Sequence, residues 1–85
     1  MYTSPDDEAT AHLLVVAAFH NAAAKADEDD DVSIGEFSRA VLRRFDEHGE
    51  LQGRLYDVVR GYAREHASPE EQAALERWIA DKTGP

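Results

Sequence analysis

A chain of 85 residues has room for one domain with one modest core. Its 18 acidic residues against 9 Lys and Arg leave a net charge of −9, which excludes the phosphate neutralisation that drives nucleic-acid binding. It has no cysteine, and so no disulfide, thiolate zinc site or cysteine nucleophile.

The apolar share of 42% is ordinary for a globular chain and argues against disorder despite the charge. The stretch Met1-Tyr2-Thr3-Ser4-Pro5-Asp6-Asp7-Glu8 is acidic where a signal peptide needs basic residues. The apolar run from Leu13 to Phe19 is far shorter than the roughly 20 residues of a bilayer span. Together these features predict a cytoplasmic protein that does not enter membranes.

The first predicted helix covers residues 5–26. Serine can cap it at Ser4, Pro5 fits the first turn, and Asp6 and Asp7 favour the positive end of the helix dipole. Ala9, Leu13, Val16, Phe19 and Ala23 form one stripe, but Leu14 and Val15 fall outside it. A helix apolar on both sides is buried on both sides, either as the central element of a bundle or against a second copy. Leu14, Val15 and Ala22 are the candidate interface for a homo-oligomer, with the alanines at 22–24 allowing close approach.

Five acids in a row, Asp27 to Asp31, predict an acidic loop over 27–32. Ser33 and Glu36 have the spacing of a capping box for a second helix over 34–48, with Gly49 as its stop. Ile34, Phe37, Val41, Phe45 and His48 share one face of that helix and are its expected core side. Arg39 and Arg43 lie opposite, with carboxylates three or four residues away.

The third predicted helix, 51–66, is expected to bury Leu51, Leu55, Val58, Val59 and Tyr62, with Gly61 as a weak point in its interior. Ser68-Pro69-Glu70-Glu71 opens the fourth, 69–82, whose core contacts are Leu75, Trp78 and Ile79. No segment alternates with period two over strand length, so the expected fold class is an all-α, single-domain bundle of about four helices.

The acidic loop carries the most specific chemistry. Calcium takes six to eight oxygen ligands, supplied by acidic residues at alternate positions and closed by a bidentate glutamate. Over residues 25–36, Asp27, Asp29 and Asp31 hold the third, fifth and seventh places, Val32 the apolar eighth and Glu36 the closing twelfth. This stretch resembles an EF-hand, which implies weak calcium binding by Asp27, Asp29, Asp31 and Glu36. Lys25 stands at the first ligand place and Asp30 at the turn glycine, both departures from the family.

Asp31-Val32-Ser33-Ile34 is similar to the site where small acidic four-helix carrier proteins bear phosphopantetheine on a serine opening the second helix. In those carriers Asp directly precedes Ser, and here Val32 intervenes. The histidines give no metal pattern: His12 and His20 are about 12 Å apart along one helix. There is no phosphate-binding glycine loop and no paired catalytic carboxylate in an evident cleft. The sequence therefore predicts a non-enzymatic, acidic protein–protein interaction or regulatory module with no required cofactor. A helix–loop–helix responding to divalent cations is the alternative, and a carrier domain is third.

Overall fold

The chain folds into four α-helices: α1 (Pro5–Glu28), α2 (Val32–His48), α3 (Gly53–His66) and α4 (Pro69–Thr83). The structure, a computed structural model, describes residues 5–28, 32–49, 51 and 53–84. Among the described residues there is no strand, and the fold is a small all-α bundle. No helix among them is long and apolar enough to cross a membrane.

Local chemistry sets the helix ends. Asp6, Asp7 and Glu8 in the first turn of α1 and Lys25 in its last turn match the dipole at both ends. α1 continues two residues past its expected end, and there the Asp27 carboxylate takes a hydrogen bond from Arg39 Nη2 of α2 at 3.1 Å. The pair offsets part of the repulsion among neighbouring acids. α2 begins at Val32, so Ser33 lies within the first turn and is not the cap that the Ser-x-x-Glu spacing suggested.

Gly49 closes α2 with φ of 70°, a left-handed conformation open to glycine, and its N–H donates to Phe45 O at 2.6 Å. α3 starts at Gly53, two residues later than expected. Leu51 stays in the connection, where its N–H donates to the Tyr56 hydroxyl at 3.3 Å in a buried position.

α4 opens with a complete capping box: Glu71 N–H donates to Ser68 Oγ at 3.2 Å, and Ser68 N–H donates to Glu71 Oε1 at 3.0 Å. These bonds, the one from the Ser68 backbone foremost, hold the Glu71 carboxyl below its ordinary value.

α1 is the axis of the bundle. At 1.5 Å per residue its 24 residues reach about 36 Å, and it packs against all three other helices. α3 also packs on α4, whereas the backbone of α2 approaches α1 alone. The core gathers Ala11, Val15, Phe19, Val59, Leu75 and Ile79 around Trp78. The Trp78 ring meets Phe45 of α2 and Tyr56 of α3, both edge-on at 5.8 Å, an arrangement that the ring quadrupoles favour.

Each of the first three helices is rotated from its expected stripe. In α1, Leu14 and Val15 are buried at 7% and 0% exposure, whereas Leu13 is 68% exposed. The side expected to receive a second copy is therefore inside the chain's own core, and Ala22 is half-buried beside it. A second copy cannot reach Leu14 or Val15 without opening the bundle.

In α2 the buried positions are Gly35, Ser38, Val41 and Phe45, while Ile34 and Phe37 stay outside. The small residues decide this: a Cβ placed on Gly35 would lie 3.8 Å from Ala26 Cβ, so α1 and α2 close together through glycine, serine and the buried Ala23 and Ala26. In α3 the core takes Tyr56, Val59 and Ala63 and leaves Val58 43% exposed. α4 buries Leu75, Trp78 and Ile79, the expected contacts.

Candidate functional site

Because the backbone of α2 approaches α1 alone, a groove of about 290 Å³ remains between α2 and α3. From α2 it is lined by Phe37, Ala40, Val41, Arg44 and His48, residues that recur every three or four positions on one helical face. Leu51 and Leu55 line the opposite side. The Gly49 turn brings the chain back so that Leu51 enters the fold, and the Tyr56 hydroxyl secures it. Val41 and Leu51 are buried, Leu55 is half-buried, and Phe37 is 58% exposed.

Ile34 precedes Phe37 by one turn and is 50% exposed, so α2 presents an apolar strip running into the groove. Adjacent large apolar side chains left in water on a small domain mark a binding surface more often than single ones do. Leu13, by contrast, needs no such explanation. The groove volume falls just below the usual range of small-molecule pockets and one side lies open, so it suits side chains of a macromolecule better than an enclosed metabolite.

The charge here differs from the rest of the molecule. Among the described residues, the lining contains Arg44 and His48 and no carboxylate. Arg39 is held by Asp27, Arg60 by Glu76 and Asp57, and Arg77 by Asp7. Arg43 and Arg44 make no ion pair among the described residues. His48 Nε2 lies 3.9 Å from Glu47 on the exposed rim, which leaves Arg44 as the main uncompensated charge in the lining.

The acidic segment is arranged differently from the EF-hand pattern. Lys25 to Glu28 belong to α1 and Val32 to Glu36 to α2, so most of the expected twelve-residue loop is helical. Asp27 is engaged by Arg39, and Glu36 is exposed on α2. Asp29 and Asp31 lie outside the described residues. Among the described residues no group of three or more His, Asp or Glu could hold a metal ion. The histidines are dispersed: His12 stacks on Phe45 at 5.1 Å, and His66 on Tyr62 at 4.6 Å.

No protein-family model matches the sequence, and neither a curated protein nor a solved structure matches it.

The groove escaped sequence reasoning because its apolar residues were assigned to the core. The excess of apolar positions on the second and third helices was the available signal: each carries more than one side of a small bundle can bury.

Proposed function

We propose that this chain acts by binding, as a small acidic protein–protein interaction module without catalysis, and that the α2–α3 groove is its contact surface. The observation carrying this reading is Phe37, an aromatic side chain 58% exposed at the mouth of a groove whose floor is Val41, Leu51 and Leu55. Aromatic side chains beside a desolvated pocket are the usual anchors of protein interfaces. The fold supports the reading in a second way. Trp78, Phe45 and Tyr56 build the aromatic core without Phe37.

A photo-crosslinking aromatic residue in place of Phe37, in the full chain expressed in its own host, tests the proposal. The same residue at Ala73, exposed on α4 outside the groove, serves as the control. The expected result is a discrete protein adduct from position 37 and none from position 73. No adduct from position 37, or equal adducts from both, would refute the groove as a contact surface.

A further inference from the structure

The groove's geometry and charge narrow the partner, given the reading above. The lining positions on α2, from Phe37 to His48, span about three helical turns, or roughly 16 Å. Packed helices stand 8–10 Å apart, and the backbones of α2 and α3 do not approach each other as α1 and α2 do. The bundle thus lacks one helix–helix contact along an apolar trough. No strand edge exists among the described residues to accept an extended peptide.

The charge selects among helices. Among the described residues, Arg44 in the lining and Arg43 beside it make no ion pair, and no carboxylate lines the groove. At physiological salt charges are screened beyond about 8 Å, so an occupant beside Arg44 feels that guanidinium more than the acids elsewhere on the molecule, while Glu47 on the rim faces His48 at 3.9 Å. A second copy fits poorly. A two-fold contact would set the same patch against itself, Arg44 facing its own image, between two molecules that each carry −9.

We propose that the α2–α3 groove receives one amphipathic α-helix of a partner protein, apolar on the entering face and acidic along the edge beside Arg44. Its anchors replace water against Phe37, Val41, Leu51 and Leu55, and a carboxylate pairs with the Arg44 guanidinium.

The test is selection of a displayed library of helical peptides on the full wild-type chain, followed by calorimetry of the enriched peptide. Phe37→Asp, Ala40→Arg and Arg44→Glu all change exposed side chains, and circular dichroism checks that each remains folded. Enriched peptides are expected to carry apolar residues every three or four positions flanked by Asp or Glu. Phe37→Asp and Ala40→Arg should each abolish binding. Arg44→Glu should weaken it about tenfold, the scale of one charge-assisted pair, and exchanging the peptide's Glu for Lys should recover it. Enrichment without acidic bias, no enrichment at all, or unchanged affinity for Phe37→Asp would overturn the proposal. So would light scattering that shows a wild-type dimer dissociated by Phe37→Asp. A protein crosslinked at position 37 through a non-helical or basic segment would overturn this inference while leaving the interaction surface standing.

Discussion

Arg77 grips the Asp7 carboxylate at two points, Nε to Oδ2 and Nη2 to Oδ1, each at 2.8 Å, and so ties the first turn of α1 to α4 across 70 positions of sequence. Parallel two-point pairing is the geometry in which a guanidinium and a carboxylate bind most strongly. Asp7 raises the Arg77 pKa above its already high ordinary value, so the cation persists at every accessible pH. Asp7→Asn and Arg77→Gln should each lower the melting temperature, and the double variant should melt no lower than the worse single one. Additive losses in that cycle would show that the two residues act independently. Because Arg77 is exposed, the effect should shrink in high salt.

Trp78 joins α4 to α2 through Phe45 and to α3 through Tyr56, and it is 2% exposed. Trp78→Ala should cost about 3–5 kcal/mol, a large part of the roughly 5–10 kcal/mol stabilising a domain of this size. Urea denaturation followed by circular dichroism measures it. A loss below about 1 kcal/mol would mean that the aromatic cluster is not the centre of the fold.

Two helical glycines should respond differently. At Gly61 an added Cβ meets nothing within 4 Å, so Gly61→Ala should stabilise the protein by about 1 kcal/mol through helix propensity. At Gly35 the Cβ would come 3.3 Å from Asp27 Oδ1, the carboxylate that Arg39 holds. Gly35→Ala should therefore gain less than Gly61→Ala, and Gly35→Leu should destabilise by forcing α1 and α2 apart. Equal gains from the two alanines would show that the helices have room to spare at this contact.

The α4 cap makes stability depend on acid. The folded-state pKa of Glu71 lies below its ordinary 4.5, so its contribution is present at neutral pH and is lost as pH falls through the lowered value. Glu71→Gln should flatten the fall in melting temperature on that acid side relative to wild type. Ser68→Ala should cost about 1 kcal/mol at neutral pH. Identical acid profiles for wild type and Glu71→Gln would remove Glu71 from the account.

Divalent cations should act on the acidic segment without selectivity. α1 runs through Asp27 and Glu28, and Arg39 already engages Asp27, an arrangement different from that of a twelve-residue calcium loop. Calcium and magnesium at equal ionic strength should raise the melting temperature equally. Glu36→Gln should leave both shifts unchanged, each taken from its own cation-free melt. A calcium preference abolished by Glu36→Gln would instead establish a formed site.

Helix type and much of the punctuation, though not the Ser33–Glu36 spacing, were legible in the sequence because both are local. Apolar spacing, Pro5 and Pro69 in first turns, the Ser68–Glu71 box and the Gly49 stop act within three or four residues, and the structure uses each of them. The buried side of each helix was not local. α1 is apolar almost all round, and its own residues do not distinguish Leu13 from Leu14 and Val15. Only the positions of α2, α3 and α4 around it sent Leu13 to water. In α2 the larger residues Ile34 and Phe37 outweighed Gly35 and Ser38 in any apolar count, yet the small pair is buried and Gly35 meets α1. Close approach over a long contact gathers more dispersion and burial than seating two bulky side chains at a wider spacing. That preference belongs to the helix pair and to neither helix alone, and it leaves Phe37 at the open groove.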